Sequence, residues 1–265
     1  RVWRYLFNFY GAAALLFLIV PVLVIVPLSF NESSFLSYPL SGFSLRWYEA
    51  FFHSKEWIGA LMNSLLVAPL ATLLASVLGV LAAMGLVRGE FRGKGLVMAI
   101  IISPMVAPVV IIAVGMFFFF AKLSLLNSYL GLVLAHALLG VPFVVITVVA
   151  VLKSYDTNLT RAAASLGASP LLAFRKVTLP LIAPGVFSGA LFAFATSFDE
   201  VVVTLFLASP TQRTLPIQMF AGIRENLDPT IAAAATIMIA ASLLLLIVME
   251  VLRRRGEKMR QPQPV

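Results

Sequence analysis

Apolar residues in this chain come in runs of about twenty, rather than in the alternation of a half-buried strand or the one-sided stripe of a soluble helix. Six runs, at 11–30, 58–87, 96–120, 128–152, 181–208 and 231–252, are each long enough to cross a bilayer as a helix. They predict an all-α membrane protein, a single transmembrane domain of six helices over residues 1–265. Between the fourth and fifth runs the pattern changes. Residues 157–180 mix hydroxyls and cations with apolar side chains at helical spacing, as a segment held outside the membrane would.

Composition supports the lipid solvent and narrows the chemistry. The chain is 61% hydrophobic and 11% charged, and its mean hydropathy of +1.03 is far above that of a soluble domain. It has no Cys, which excludes disulfides and thiol chemistry, and its two His, His53 and His136, stand alone; no metal and no cofactor is expected. Arg1 and Arg4 precede the first run as in a signal peptide, but five further runs make it an uncleaved anchor.

The net charge of +8 matters through its placement. With the N-terminus in the cytoplasm, 14 of the 19 Lys and Arg fall on that side and only Arg46, Lys55, Lys122, Arg213 and Arg224 on the other. Both termini and the 157–180 segment are then cytoplasmic. The basic run at 253–260 reads as an orientation signal and headgroup contact, not a nucleic-acid site. The stretch GEFRGKG, Gly89 to Gly95, has its glycines too close together for a phosphate loop and no Ser or Thr after its lysine. ATP hydrolysis is therefore expected on another subunit.

Within 157–180, Thr157 or Asn158 can cap a helix whose Leu159, Ala162, Ala163 and Leu166 form one apolar stripe, and Gly167 can end it. Ser169 and Pro170 start a second helix, expected to run to about Thr178 and stop before Pro180. Helices of about two turns do not persist alone in water. Leu171, Leu172 and Phe174 therefore need a cover, either the protein's own helix ends and headgroups or a cytoplasmic partner.

Asp199 and Glu200 lie inside the fifth run, where an ionised carboxylate must face protein, water or a cation. On a continuous helix Ser197, Glu200 and Thr204 would share one face and Thr196 and Asp199 the next. These residues are candidates for a cargo pathway suited to a cation; the alternative is a structural pair. Ser103, Pro104 and Pro108 interrupt the third run and Pro142 the fourth, which marks gate or kink positions. The outer loop at 209–229 predicts a short interfacial helix with Leu215, Met219 and Ile223 on one face and Arg224, Glu225 and Asp228 near its end. Trp47, Tyr48 and Trp57 read as interfacial anchors.

Ala162-Ala163, Leu166-Gly167-Ala168, Phe174, Val177, Leu179-Pro180 and Pro184-Gly185 resemble, in identity and spacing, the EAA loop of ABC importer permeases. In that family the loop forms coupling helices that insert into a groove of the ATP-hydrolysing subunit. Arg161 stands where the motif usually opens with an acid. The stretches FNESSFLSYPLSGFSLRWYEAFF, NSLLVAPLATLLASVLGVLAAMGLVRG and SFDEVVVTLFL resemble the second of the two permeases in spermidine/putrescine importers. The resemblance implies a type I importer fold in the bacterial inner membrane, transporting by alternating access. It also implies a heterodimer with a sister permease, two ATPase subunits, and an extracytoplasmic binding protein on the outer loops. It assigns ATPase coupling to Arg161, Ala162, Ala163, Leu166, Gly167, Ala168, Phe174 and Pro180. Polyamine members often carry an acid just after the second proline of the third span, where this chain has Val109, so another small organic solute stays open as cargo. A channel is the remaining alternative; a membrane enzyme is disfavoured because no nucleophile–base set or paired His occurs in the runs.

Overall fold

The computed structural model describes residues 2–154, 156–225 and 228–258. Arg1 and Arg260 of the charge argument lie outside the described residues, as do the side chains of Glu225, Arg253, Arg255 and Lys258. The described chain is helical almost throughout. Helix α1 (Val2–Leu28) carries an apolar surface that is exposed along nearly its whole length and touches the rest of the protein chiefly at its last helix. A short helix α2 (Arg46–His53) leads to α3 (Lys55–Arg88), the longest, whose start is capped by Ser54 accepting from the Trp57 amide.

The third apolar run is two helices. Helix α4 (Lys94–Val106) and α5 (Val109–Lys122) meet at 107° across Ala107 and Pro108. Pro108 forces the residue before it out of helical conformation, and Ala107 has ψ 143°. Pro104 sits inside α4 without breaking it. Helix α6 (Tyr129–Lys153), capped by Ser128 accepting from the Gly131 amide, runs unbroken through Pro142, which is buried. The interruption expected at Pro142 is thus absent: close packing of neighbours on both sides holds the helix together where one backbone bond is missing.

The 157–180 segment holds α7 (Asn158–Ser165) and α8 (Pro170–Ala173). Its second helix does not stop before Pro180, as the sequence suggested. It continues through a π-helical turn, Phe174–Thr178, into α9 (Leu179–Phe198). The wider turn just ahead of Pro180 gives the ring room where a regular turn would clash with the carbonyl four residues back. The fifth run is also broken: α9 ends at Phe198 and α10 (Val202–Leu207) resumes after Asp199, Glu200 and Val201. After α10 comes α11 (Leu215–Glu225), which precedes the last span, α12 (Thr230–Lys258).

Helix α6 is the axis, gripped between α3 and α9 by small residues. Val144 of α6 is fully buried, and a Cβ built on Gly79 of α3 would lie 2.6 Å from its Cβ. From the other side, a Cβ on Gly189 of α9 would lie 2.5 Å from the Val144 Cα. At Gly140 the same test meets Ala193 Cβ at 2.9 Å and Ala75 Cβ at 3.2 Å. In lipid, where apolar surface gains little by leaving its solvent, such close approach supplies the van der Waals contact that holds helices together. A second cluster joins Val67, Ala113, Leu132, Ala135 and Val203, docking α5 and α10 on α3 and α6.

The outer loop is pinned to this frame. Asn63 donates to the carbonyls of Thr211 (3.0 Å) and Arg213 (2.9 Å) and accepts from Tyr129 Oη at 2.8 Å. Ser64 accepts from the Leu215 amide at 2.8 Å. Leu215 is buried and Met219 packs inward beside Phe51, Ala60 and Ala234, whereas Ile223 is half exposed. The helix expected at the membrane surface therefore packs on the body of the protein. Trp57 stacks near Phe51, and Trp47 donates to the Asn31 carbonyl at 2.8 Å.

The seam makes a direct prediction. Gly189→Leu drives a branched side chain into the α6 backbone and is expected to cost about 1–3 kcal/mol or more, lowering membrane abundance several-fold. Gly59→Leu, where a Cβ would meet nothing within 4 Å, is expected to leave abundance unchanged. Immunoblotting of membranes for both variants checks this.

Candidate functional site

Two parts of the fold collect the candidate residues. The first is the exposed face of α7 and α8. The Asp156 carboxylate, rather than Thr157 or Asn158, caps α7 by accepting from the Asn158 amide at 2.9 Å. Gly167 ends it at φ +85°, and Ser169 caps α8 by accepting from the Leu172 amide. Both hairpin helices pack on the π-helical turn. Leu166 is 89% exposed and Leu171 75%, with Leu159, Leu172, Arg161, Ala162 and Gly167 also exposed. Ala163 and Ala168 are half-buried.

Phe174 behaves differently from the surface residue expected. It packs with Leu179 against the α3–α6–α9 core, and Ala173 and Thr178 are buried behind it. Pro180 is half-buried in the first turn of α9. Arg88, at the end of α3, donates to Thr178 Oγ1 at 3.0 Å and ties the base of the segment to the scaffold. The large apolar side chains left uncovered in the α7–α8 hairpin are therefore Leu159, Leu166, Leu171 and Leu172.

The second part is the break in the fifth span. Asp199 ends α9 and is exposed. Glu200 is half-buried, and its Oε1 accepts from the Val203 amide at 2.8 Å, so its carboxylate caps α10. Among the described residues neither acid has a cationic partner. Because the helix stops before both acids and resumes only at Val202, the faces expected for a continuous helix do not exist. Thr196 is half-buried one turn before the break; Ser197 is buried and turned toward α6, away from any open path.

What Ser197 meets there is His136, a residue the sequence left unused. Its imidazole is 1% exposed and is hydrogen-bonded at both nitrogens, Nδ1 to Ser197 Oγ at 2.8 Å and Nε2 to Thr204 Oγ1 at 2.9 Å. Ser197 belongs to α9 and Thr204 to α10, so one side chain bridges the gap that holds the two acids. A lone His inside an apolar run, with hydroxyls on both sides of a carboxylate pair elsewhere, was the available signal.

The break in the third span opens beside this one. Residues 105–108 are exposed, and Val109 joins the apolar cluster of Val203 and Ala113, so α5 and α10 both begin in one packed layer. Two discontinuous helices side by side, with carboxylates at one break, form the kind of intramembrane locus that can bind a small charged solute. Pro104 is half-buried just ahead of it, whereas Pro142 lies away from any break.

Comparison with known proteins identifies the family. Residues 75–258 match the family described as "Binding-protein-dependent transport system inner membrane component". The chain belongs to this family. It is a multi-pass inner-membrane permease, a transport subunit and not an enzyme. Among its relatives is the spermidine/putrescine transport system permease protein PotC of Haemophilus influenzae, 34% identical over 82% of this chain and 84% of that protein. Another is the putrescine transport system permease protein PotI of Escherichia coli K12, 34% identical over 87% of this chain and 83% of that one. The permease also shares its fold with a chain of a bacterial alginate ABC transporter, solved in complex with an alginate-pentasaccharide-bound periplasmic protein. That chain has a TM-score of 0.73 at 16% identity, covering 95% of this chain and 94% of that one. Permeases of ABC importers work with a second permease, ATPase subunits and a periplasmic binding protein.

His136→Leu leaves two buried hydroxyls without their partner, at about 1–3 kcal/mol each. Thermal melting of the purified permease is expected to drop by several degrees, with His136→Gln, which keeps a donor and an acceptor, falling between the two.

Proposed function

We propose that this permease moves polyamines into the cytoplasm as one half of a heterodimer, driven by two ATPase subunits and supplied by an extracytoplasmic binding protein. The observation that carries the cargo reading is the break at Asp199 and Glu200: an exposed intramembrane carboxylate beside a half-buried one, with no cation on the described chain to neutralise them. A carboxylate in a low-dielectric pathway attracts a mobile ammonium group much more strongly than the same group in water. The names of the polyamine relatives support the same cargo.

In this reading both termini are cytoplasmic and the 157–180 segment meets the ATPase. The exposed Leu159, Leu166, Leu171 and Leu172, flanked by Arg161, Ala162, Ala163, Gly167 and Ala168, form the docking face. Phe174 and Pro180 then act behind that face, joining it to the span. Closure of the ATPase dimer moves α7 and α8, and the continuous helical rod from Pro170 to Phe198 carries that displacement to the acids. The bend at Ala107 and Pro108 is the gate position. ATP must bind the inward- and outward-facing states with different affinity for this to drive transport. Asp199 binds the cargo ammonium, while Glu200 contributes its remaining oxygen and its charge.

A second reading, another small organic solute, is favoured by Val109, which puts an apolar side chain into the core where an acid would add a cation contact.

Uptake of labelled spermidine and putrescine separates these readings, in cells lacking their own polyamine importers and supplied with this permease and its co-expressed partners. Asp199→Asn is expected to reduce uptake at least tenfold at equal membrane abundance, and Glu200→Gln to reduce it less. Wild-type complex that hydrolyses ATP with its binding protein but takes up neither polyamine would refute the cargo.

The docking face has its own test. Leu166→Asp and Leu171→Asp are expected to abolish copurification of the ATPase while preserving permease abundance. Phe174→Ala is expected to lower abundance, because it removes a ring from the core.

A further inference from the structure

A cavity of about 410 Å³ opens between the cytoplasmic ends of three helices, away from the breaks at Pro108 and Asp199 and away from the docking face. Its walls are Leu86 and Val87 from the end of α3, Met98 from the first turns of α4, and Val149 from the end of α6. At its mouth stand two amines, Lys94 at the start of α4 and Lys153 at the end of α6. Its volume is in the range of about 300–1,000 Å³ usual for small-molecule sites.

The charges at the mouth are uncompensated. Among the described residues neither lysine has a carboxylate partner. The acids nearest in sequence, Glu90 and Asp156, do not line the cavity, and the Asp156 carboxylate is taken by the Asn158 amide. Lys94 lies 5.9 Å from the Phe91 ring, a contact that steadies the amine and leaves its charge in place.

An apolar cleft at the inner end of membrane-spanning helices, closed by two cations at headgroup level, matches one class of occupant. We infer that it binds an anionic phospholipid of the inner leaflet, with the phosphate between Lys94 and Lys153 and part of an acyl chain against Met98 and Val149. A soluble phosphate would satisfy the amines and leave the apolar wall uncovered. The site has a mechanical position as well: α4 rests on the scaffold through α6, and the lipid would brace it on the near side of the Pro108 bend. The inference is independent of the cargo. It rests only on the cavity and on the cytoplasmic placement of its mouth.

The test uses the complete transporter, purified from membranes with its partners into mild detergent. Native mass spectrometry after incubation with phosphatidylglycerol or phosphatidylcholine reads retained lipid. Wild type is expected to retain phosphatidylglycerol at least fivefold over phosphatidylcholine, and Lys94→Gln/Lys153→Gln to lose that preference, while Lys122→Gln keeps it. Equal retention of both lipids by wild type, or an unchanged preference in the double variant, would overturn the inference. Competition by inorganic phosphate as effective as that by a short-chain phosphatidylglycerol would overturn it too, by showing that the acyl chain is not bound. A photo-reactive side chain in place of Met98 gives a readout in intact membranes. A cross-link to lipid supports the site; a cross-link to the sister permease or ATPase assigns the cleft to a protein partner and overturns it.

Discussion

Everything in this protein hangs on how closely α6 can approach α3 and α9. Membrane helices gain little from burying apolar side chains, since lipid tails are as apolar as leucine, so contact area and distance decide association. Gly79 and Gly189 press on Val144 from opposite sides, and Gly140 meets Ala75 and Ala193 nearby, so three backbones share a seam that larger residues would pry apart. The same seam carries α6 past Pro142 without a break. It is also the fixed frame against which the other helices can be interrupted.

The interruptions fall at the two places proposed for the gate and the cargo pathway. Breaking a helix in a membrane leaves backbone groups without partners, and the structure answers this locally. Glu200 uses a carboxylate oxygen to cap α10, and His136 holds the hydroxyls of Ser197 and Thr204 across the gap. The break is therefore ordered rather than slack. It presents Asp199 from a defined position while the halves on either side belong to two different packed clusters, α9 to the central seam and α10 to the layer with α5.

The 157–180 segment and this break are joined by one helical rod. From Pro170 to Phe198 the chain is helical without interruption, passing through a π-helical turn whose Phe174 and Thr178 are held by the core and by Arg88. In the proposed mechanism a displacement of Leu171 and Leu172, which lie on this rod, passes along it rather than through a loop. The wider turn at Phe174–Thr178 is where that rod is least regular, and so where it can bend.

Much of this was legible in residue order alone. The apolar runs place the helices, because a span needs about twenty apolar residues whatever its neighbours are. Ser128, Ser169 and Gly167 mark helix ends through local hydrogen bonding and backbone freedom, which need no tertiary context. The acids, the coupling motif and Pro108 announce themselves because each is costly in lipid or specific in spacing. What residue order could not decide depends on partners distant in the chain. Pro142 and Pro180 look like breaks, yet neighbouring helices and a wider turn keep the backbone helical there. Phe174 looks like a surface residue until the core is found behind it. His136 is an isolated histidine in the sequence, and only the packing of α6 against both halves of the fifth span turns it into the bridge that sets the geometry of the acids. Composition and local pattern determine which segments enter the membrane; the close approach of particular small residues decides which helices stay whole and which side chains meet.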